Sequence, residues 1–346
     1  MCLKVKKIRI GFIGAGKIAA ERHLPELKKM PEVELVAVCN RTAQSSALVA
    51  QQWQFKRVDH LWEDLVLAKD LDVIWICTPP YLHSQISIAA LNQGKHVFCQ
   101  ARMAMDLSQA KEMFDCAEKH PSQVTMVCPA PNALKDGKYI QQILNSDELG
   151  QLYHFRLESF MDSWADASAP SHWRQRKDLC GNNILSVGIY GEVLNSWFGE
   201  AISVFSTAKV WIQQRKQDVI EVPDFVQVLG EWGKGLLGSM EWSGLARFAQ
   251  GDILTLYGSK GTLRYDFGKK LLEIGKEGDS QMKPVDVPSD FQGGWFVEKD
   301  FIRAVKTGDF SPEPSFAAGF KYMIFLEAIN KSFQSGQRVF LKDLKG

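Results

Sequence analysis

A glycine-rich turn carries the clearest chemical signal in the sequence. The residues Gly14-Ala15-Gly16-Lys17-Ile18-Ala19 directly follow the apolar run Ile8–Ile13 and open an amphipathic stretch. Between a strand and a helix, such a turn uses its first glycine for the tight bend and its second to let the backbone approach a pyrophosphate. The alternative is a glycine-rich turn that binds no ligand. The predicted dinucleotide contacts are Gly14, Gly16, Lys17 and Ile18.

The end of the second predicted strand bears on which dinucleotide is bound. A carboxylate there usually binds the ribose 2′-hydroxyl of NAD, but Val38-Cys39 is followed by Asn40-Arg41. A guanidinium at this position can neutralise a 2′-phosphate, whereas the alternative is an ordinary solvated arginine. We therefore expect NADP or NAD as the cofactor, with NADP slightly favoured and with Asn40 and Arg41 as contacts.

The composition favours a small-molecule ligand over a macromolecular partner. The 346 residues include 41 Lys and Arg against 40 Asp and Glu, so no net field attracts nucleic acid or an anionic membrane. No apolar run reaches the roughly 20 residues of a membrane span, and the opening residues lack the apolar core of a signal peptide. The seven cysteines form no Cys-x-x-Cys pair, which predicts reduced thiols, mostly in the core, and a cytoplasmic protein.

Apolar runs alternate with amphipathic stretches from Ile8 to about Met126, a pattern typical of parallel strands joined by crossover helices. The predicted strands are Ile8–Ile13, Val33–Cys39, Val73–Cys77, Lys95–Cys99 and Val124–Val127. The predicted helices are Lys17–Lys29, Ala43–Gln52, Ser84–Asn92 and Leu107–Lys119. This pattern predicts an α/β Rossmann domain with a parallel sheet over residues 1–127.

The pattern changes after Gly150, where apolar and polar residues alternate between turns of Gly, Asp and Lys. This alternation predicts antiparallel strands. The predicted strands are Leu152–Phe160, Ala201–Trp211, Asp224–Trp232, Gly235–Trp242 and Ile253–Tyr257. The predicted helices are Leu185–Trp197 and Phe316–Phe333. We expect a second, α+β domain over residues 128–346, with its boundary near Cys128 to Pro131.

Several local sequences, taken together with the glycine turn, resemble one protein family. They are Thr78-Pro79-Pro80-Tyr81-Leu82-His83, Gly94-Lys95-His96-Val97-Phe98-Cys99, Trp173-Arg174, Leu256-Tyr257-Gly258-Ser259-Lys260-Gly261-Thr262-Leu263 and Pro314-Ser315-Phe316. Over nearly its whole length the chain resembles the glucose-fructose oxidoreductase, inositol dehydrogenase and rhizopine catabolism protein (Gfo/Idh/MocA) family. The resemblance implies a Rossmann domain followed by an open-faced, mainly antiparallel sheet domain. It also implies a sugar-like or cyclic-polyol substrate and a homodimer or homotetramer paired through the sheet.

The resemblance further implies where the cofactor lies and exposes one departure from the family. The implied cofactor contacts are Thr78, Pro79, His83, Gln100, Trp173 and Arg174, and for His83 helix capping is an equal alternative. Family members usually carry Glu-Lys-Pro after the fourth strand, with the lysine beside the reacting carbonyl, whereas this chain has Gln100-Ala101-Arg102. Ala101 cannot polarise a carbonyl, and loss of one such donor typically costs about 10²- to 10³-fold in rate. Arg102 is expected to reach the substrate, or else to bind cofactor phosphate or a surface carboxylate.

A second family motif normally places Asp and His four residues apart on one helix face. Alignment on Gly188 puts Ser186 and Tyr190 at these positions, and the spacing directs both side chains the same way. In one branch of the family a tyrosine here is the proton donor, so Tyr190 is the predicted acid. Its ordinary pKa of about 10 would have to be lowered by a neighbouring cation or the cofactor. The predicted substrate contacts are Ala101, Asn183, Ser186 and Tyr190.

The segment Met161–Arg174 is polar, aromatic and without periodicity. It predicts either a loop over the substrate, with Trp164 or Trp173 against a sugar face, or a plain surface loop. The spacing of His154 and His172 from nearby aspartates matches no metal site, and none is predicted. Other aromatic residues, among them Trp211, Trp232 and Trp242, fall in strand-like alternation and are predicted in the sheet core or a dimer interface.

The sequence therefore predicts an NAD(P)-dependent oxidoreductase acting on a sugar-like or polyol substrate, with Tyr190 and Arg102 as the catalytic candidates. Because two of the three expected catalytic side chains are replaced, a second interpretation stays open: a catalytically silent, cofactor-binding sensor or assembly protein. A third is an enzyme that uses bound NAD in a lyase or hydrolase reaction, as some relatives in this family do.

Overall fold

A computed structural model of the chain describes residues 7–129, 134–310 and 312–345. In chain order the strands are β1 Ile8–Ile13, β2 Val33–Cys39, β3 Arg57–Val58, β4 Val73–Ile76, β5 His96–Cys99, β6 Thr125–Val127, β7 Leu152–Phe160, β8 Ser203–Lys209, β9 Gln214–Arg215, β10 Asp218–Val219, β11 Phe225–Glu231, β12 Leu237–Ser243, β13 Asp252–Gly258, β14 Gly261–Asp266, β15 Leu271–Lys276, β16 Lys283–Pro284 and β17 Val339–Phe340. The α-helices are α1 Leu24–Lys28, α2 Ala43–Trp53, α3 Trp62–Leu67, α4 His83–Asn92, α5 Leu107–Lys119, α6 Gly137–Asn145, α7 Lys177–Cys180, α8 Val187–Phe198, α9 Val297–Thr307 and α10 Phe316–Ser335.

The described residues form two compact units. The first holds the residues up to Pro129 together with Phe296–Phe320, and the second holds the intervening residues and those after Phe320. Residues 296–320, which the sequence analysis assigned to the second domain, therefore pack with the first unit. The cause is α9, whose side chains at Val297, Phe301 and Ile302 are buried. Of the predicted boundary, Ala130 and Pro131 lie outside the described residues.

The first unit is built on a six-stranded parallel sheet in the order β3-β2-β1-β4-β5-β6. Its central strands read as continuous apolar runs because both faces are covered, and all of β4 is buried. Strand order reverses between β1 and β4, which is where open α/β sheets bind dinucleotides at their carboxyl edge. The Rossmann prediction is confirmed, with small shifts such as the end of β4 at Ile76 instead of Cys77.

The predicted helix Lys17–Lys29 forms as one helical run that begins at Lys17 and changes type in its middle. A π-helical segment spans Ala19–His23, and α1 continues from it. Pro25, in the first turn of α1, has no N–H with which to continue a regular ladder, so the helix type changes beside it. Sequence analysis missed the short elements β3 and α3, and it missed α9.

The second unit carries a nine-stranded sheet in the order β16-β15-β14-β13-β7-β12-β11-β8-β17. Its neighbours are antiparallel except β7 and β12, which pair in parallel. The exception arises because a long connection containing α8, and not a hairpin, follows β7. The prediction of a mainly antiparallel sheet is confirmed. Trp232 and Trp242 are buried, whereas Trp211 is 66% exposed in the loop after β8.

Two expectations about composition can be compared with the described residues. No helix among them is long and apolar enough to cross a membrane. The six cysteines that the structure describes are free thiols; five are buried and Cys77 is half-buried. The prediction of mostly core thiols is confirmed for these six, and Cys2 lies outside the described residues.

Candidate active site

Gly14 shapes the glycine turn at the carboxyl end of β1. Its φ is +82°, and a Cβ there would lie 2.6 Å from the Thr78 backbone nitrogen. Its N–H donates to the Cys39 carbonyl at 2.9 Å. The positive φ and the close approach both require glycine, so this residue is needed for the junction of β1, β2 and β4.

Gly16 has a different role, because no protein atom crowds it. A Cβ there would meet only the Gly14 carbonyl oxygen, at 4.0 Å. The helical run that follows begins at Lys17, and its first backbone bond joins the Ala20 N–H to the Gly16 carbonyl at 3.0 Å. Gly16, at the start of this run, has no side chain that could cap the first N–H groups. Bare backbone at Gly16 and uncapped N–H groups fit a pyrophosphate. Lys17 is exposed beside them, with its Nζ 3.8 Å from a Glu21 carboxylate oxygen.

Asn40, at the end of β2, braces the turn from within the protein. Its Oδ1 accepts a hydrogen bond from the Ala15 N–H at 2.7 Å, and its own N–H donates to the Ser46 hydroxyl at 2.8 Å. Arg41 is exposed and directly precedes Thr42, the N-cap of α2. Asn40 is thus committed to the turn, while the Arg41 guanidinium is open to a ligand.

The loop after β4 contains an orphaned hydroxyl. Thr78 Oγ1 is buried and has no hydrogen-bond partner among the described residues. Thr78 lies against the glycine turn, since its Cγ2 would be 2.8 Å from a Cβ at Gly14. A buried hydroxyl without a partner is destabilising unless a ligand completes it. This feature, with the bare backbone at Gly16, fits a dinucleotide crossing the loop at Thr78 and Pro79.

His83 clamps this loop to the next one. Its side chain is fully buried, with ring nitrogens 2.7 Å from the Thr78 carbonyl oxygen and 3.0 Å from the Arg102 carbonyl oxygen. Burial lowers the pKa of His83, so the ring is neutral and donates to one of the two carbonyls. These two contacts give His83 a structural role between the loops, and its contact with the cofactor stays a prediction.

The loop after β5 has no cationic side chain at the position of the family lysine. Ala101 occupies that position, half-buried, and its peptide bond to Arg102 is cis. Arg102 is only 6% exposed, which disfavours the predicted alternative of a surface ion pair, while its predicted contact with the substrate or with cofactor phosphate stays a prediction. Gln100, also half-buried, places Oε1 3.3 Å from His23 Nε2.

Tyr190, on α8 of the second unit, is bonded to a carboxylate. Its hydroxyl donates to Asp252 Oδ2 at 2.6 Å, and the residue is 5% exposed. Burial, reinforced by the Asp252 charge, raises the pKa of Tyr190 well above its usual value. The expected lowering by a cation is therefore wrong in this structure, since the neighbour is an anion and the phenol stays neutral.

Ser186 joins this arrangement through Ser159 of β7. The two serine hydroxyl oxygens lie 2.8 Å apart, and a hydrogen bond from Ser159 opposes the rise in the pKa of Tyr190. Hydroxyls and one carboxylate thus run in sequence from Ser186 through Ser159 and Tyr190 to Asp252. Such a chain can move a proton between its members.

The remaining predicted contacts of the second unit precede α8. The Arg174 guanidinium stacks over the Trp173 ring at 4.2 Å. Asn183 is 2% exposed and its Nδ2 donates to the Cys180 carbonyl at 2.6 Å. Asn183 therefore shapes the turn before α8 through its Nδ2, and its contact with a substrate stays a prediction.

Hydrogen bonds from a buried arginine hold the predicted loop Met161–Arg174 in place. The buried Arg215 side chain donates to the carbonyls of Trp164 and Asp166. Trp164 is 7% exposed, and a Cβ at Gly244 would lie 2.8 Å from its ring. Trp164 thus belongs to the packing of the loop and not to a sugar-facing surface. Across residues 7–129, 134–310 and 312–345, no cluster of His, Cys, Asp and Glu could hold a metal ion.

Four polar side chains in these contacts are not predictable from the sequence pattern: His23, Ser159, Asp252 and Glu298. Asp252 is 62 positions from Tyr190, and Glu298 is 275 positions from its buried partner His23. Spacing along the chain carries no signal over such separations, because only the folded topology joins the residues. The available local signals were the strand alternation around Ser159 and the amphipathic pattern of α9.

Comparisons with known proteins agree with this geometry. Residues 8–127 match the family model "Oxidoreductase family, NAD-binding Rossmann fold", and residues 138–264 match the "GFO/IDH/MocA C-terminal domain". A levoglucosan dehydrogenase from Pseudarthrobacter phenanthrenivorans is 24% identical over 95% of this chain and 96% of its own length. A D-glucoside 3-dehydrogenase from Escherichia coli is 31% identical over 42% of this chain and 41% of its own. A solved levoglucosan dehydrogenase in complex with NADH and levoglucosan has a TM-score of 0.87 and 21% identity, covering 97% of this chain and 99% of the other.

Proposed function

Because the chain belongs to the Gfo/Idh/MocA family of NAD-binding oxidoreductases, we propose that it is an NAD(P)-dependent dehydrogenase of a sugar-like or cyclic-polyol substrate. The observation that carries the proposal is the 2.6 Å hydrogen bond from Tyr190 to Asp252. Tyr190 occupies the motif position at which this family keeps its acid–base residue. Oxidation of an alcohol to a carbonyl requires a proton acceptor, and this pair supplies one.

The first unit holds the cofactor in this proposal. Gly16 and the uncapped helical segment receive the pyrophosphate, and Thr78 Oγ1 gains the partner that it lacks. Arg41 neutralises a 2′-phosphate, which favours NADP over NAD. When bound, the nicotinamide supplies the chemistry that accepts or returns a hydride.

Proton movement runs through the second unit. In the oxidative direction, the substrate hydroxyl gives its proton to the Tyr190 oxygen as the Tyr190 proton passes to the Asp252 carboxylate. The raised pKa of Tyr190 suits this step, because the phenol is neutral at both the start and the end of the transfer. In the reductive direction the same two transfers reverse, so the pair serves as acid or base without a free phenolate.

The substrate class rests on the relatives. Three relatives are dehydrogenases named for levoglucosan, D-glucoside and inositol. All three compounds are hydroxyl-bearing rings. A ring alcohol of this kind needs proton transfer but no metal-ligand set, which agrees with the hydroxyl and carboxylate chain of Tyr190 and Asp252.

One observation favours a second candidate function. Ala101 carries no group that can polarise a carbonyl, and Arg102, the nearest cation in the sequence, is buried. A chain of this fold without that donor could bind a dinucleotide and report its level without turnover. This alternative, a catalytically silent sensor or assembly protein, predicts tight dinucleotide binding and no reaction with any sugar.

We further propose that two copies pair through the outer face of the nine-stranded sheet. Phe205 and Leu229 are direct cross-strand partners, Leu237 lies on the same face, and these side chains are 42%, 54% and 56% exposed. Exposed apolar side chains grouped on a sheet face are typical of a protein interface. Sedimentation of a Leu229→Lys variant against wild type tests the pairing, since a monomer is expected only for the variant.

We also propose a reducing compartment such as the cytoplasm, which the free thiols of the described cysteines support.

A direct absorbance assay of the reduced nicotinamide decides between the two candidate functions. Purified protein is mixed with NADP⁺ or NAD⁺ and a panel of anhydrosugars, glycosides and cyclic polyols, and formation of the reduced nicotinamide is followed. Turnover with at least one ring alcohol supports the dehydrogenase. Tight binding of the dinucleotide with no turnover across the panel supports the silent sensor.

A further inference from the structure

His23 connects two segments of the first unit that are distant in sequence. Its Nδ1 lies 2.5 Å from Glu298 Oε1 on α9, and its Nε2 lies 3.3 Å from Gln100 Oε1 after β5. The side chains of His23 and Glu298 are 0% and 1% exposed. Neither of these two residues has a role in the function proposed above.

Aromatic rings surround this polar contact. The His23 ring lies 5.4 Å from the Trp75 ring and 5.3 Å from the Phe98 ring, edge to face with each. Phe301 packs edge-on against the same two rings, at 5.4 and 5.6 Å. Polar contacts in such an apolar setting are strong when they are complete and destabilising when one partner is lost.

The three side chains are matched in their hydrogen-bonding capacity. A carboxylate can only accept, whereas the Gln100 amide can accept through its oxygen or donate through its nitrogen. Glu298 therefore occupies His23 Nδ1 as an acceptor, and the Gln100 amide can complement Nε2 through its oxygen or its nitrogen. A glutamate at position 100 would place a second carboxylate on one buried imidazole, and the two like charges would repel each other. Glu298 lies in the first turn of α9, where the helix dipole favours negative charge.

Gln100 lies where this contact can act on the cofactor. It directly precedes Ala101 at the carboxyl end of β5, and β4 and β5 form the half of the sheet across the switch point from β2. A dinucleotide that begins at the β1 turn, with Arg41 beside its adenosine half, lays its nicotinamide half toward β4 and β5. We propose that Glu298 and His23 are positioning residues, which hold Gln100 and with it residues 100–102 against the nicotinamide half. The proposal rests on the dinucleotide binding proposed above.

The first test exchanges the carboxylate and the amide between Glu298 and Gln100, the two residues that contact His23. Gln100→Glu and Glu298→Gln should each lower the thermal unfolding midpoint, because the first puts two carboxylates on His23 and the second leaves none. The double variant restores one carboxylate and one amide, so its midpoint should lie above that of at least one single variant. Gln51→Glu, which adds the same charge at an exposed position of α2, is the matched control and should leave the midpoint unchanged. Additive losses in the double variant would overturn the proposal.

The second test compares the binding of a full dinucleotide with that of a shorter ligand that lacks nicotinamide. It separates an effect on the position of residues 100–102 from an effect on the stability of the fold. Each variant is titrated with whichever of NADPH and NADH the wild type binds more tightly, and with the corresponding ADP-ribose that lacks nicotinamide. Gln100→Glu should raise the Kd for the full dinucleotide by about tenfold, the equivalent of one hydrogen bond, and leave the Kd for the truncated ligand unchanged. Should Glu298→Gln not fold, Gln100→Met keeps the test, because it removes the amide from a half-buried site and should give the same selective loss.

The possible results distinguish this inference from the proposed function. Equal loss of both ligands, or loss of neither, in the presence of normal wild-type binding would overturn the positioning role alone. Failure of the wild type to bind either dinucleotide would overturn the proposed function together with this inference.

Discussion

The Tyr190 hydroxyl donates a 2.6 Å hydrogen bond to Asp252, from α8 to the first residue of β13. Because the partner is an anion in a buried setting, the pKa of Tyr190 rises and the phenol keeps its proton. Tyr190 can therefore pass a proton on to Asp252 but is unsuited to act as a phenolate. This relationship makes Asp252 a participant in any proton transfer through Tyr190.

Replacement of Asp252 by asparagine should slow turnover without loss of cofactor. The variant keeps the shape of the side chain and removes the charge that accepts the Tyr190 proton. We expect kcat to fall by about 10- to 10²-fold, as for loss of a hydrogen bond to a charged group. Steady-state kinetics on the identified substrate measures this. Asp266→Asn is the matched control, because Asp266 is a buried aspartate of the neighbouring strand that accepts from the Lys269 N–H at 2.9 Å. An equal fall in kcat for both variants would argue for a general structural effect.

Replacing each glycine of the turn by valine should have a different effect: loss of dinucleotide binding for Gly16 and loss of stability for Gly14. A side chain at Gly16 meets open space in the protein but blocks the pyrophosphate, so Gly16→Val should abolish dinucleotide binding at an unchanged unfolding midpoint. Gly14→Val forces a branched side chain into positive φ against the Thr78 backbone and should destabilise the fold by about 2 kcal/mol or more. Calorimetric titration and thermal unfolding measure the two effects. Normal NADPH affinity in Gly16→Val would exclude this pyrophosphate site.

Arg41→Ala should weaken NADP binding more than NAD binding. In the proposed function the exposed guanidinium after β2 pairs with the 2′-phosphate, a group that NAD lacks. We expect the Kd for NADP to rise by about tenfold or more, as for loss of a charge-assisted hydrogen bond, with little change for NAD. Fluorescence titration of the two reduced cofactors gives both values. Equal losses for NADP and NAD would remove Arg41 from cofactor selection.

Stability should fall as the pH drops below neutrality, in part because of His83. Burial lowers the pKa of His83 below its ordinary value of 6.5, so below that value the unfolded chain binds the proton more readily than the folded chain. The free energy of unfolding is therefore highest above the unfolded pKa and decreases as the pH falls toward the folded one. Unfolding midpoints measured between about pH 7.5 and about pH 5.5 should show this slope, and His83→Gln should reduce it.

The exposed His60→Gln variant is the control for this pH dependence, since folding does not bury that side chain. Part of the slope should remain in His83→Gln, because burial also lowers the pKa values of His96 and His172. An identical slope in His83→Gln and wild type would mean that the clamp between the two loops does not titrate.

The sequence predicts the first sheet and the glycine turn between β1 and the helix well because both depend on local patterns. Continuous apolar runs mark buried parallel strands, and the two glycines lie between a strand and a helix. Strand alternation likewise predicts β7 with the observed bounds Leu152–Phe160. The packing of α9 with the first unit is not predictable in this way, because its partners are about two hundred or more positions away.

The candidate site was less predictable because its chemistry depends on burial. Tyr190 was found from motif alignment, but the sign of its pKa shift depends on Asp252, which no local spacing connects to it. Arg102 and Trp164 look available in the sequence and are buried in the structure. His83 carries a reactive ring whose two nitrogens both face backbone carbonyls, and only the fold determines these contacts.

The most direct test of the central claim is the turnover of Tyr190→Phe on a ring-alcohol substrate of the wild-type protein. The substitution removes only the hydroxyl and keeps the ring packed 5.1 Å from Phe267. If Tyr190 passes the substrate proton to Asp252, kcat should fall by about 10²- to 10⁴-fold while the Kd of the dinucleotide is unchanged. Full activity of Tyr190→Phe would contradict the account and place the proton-transferring group elsewhere.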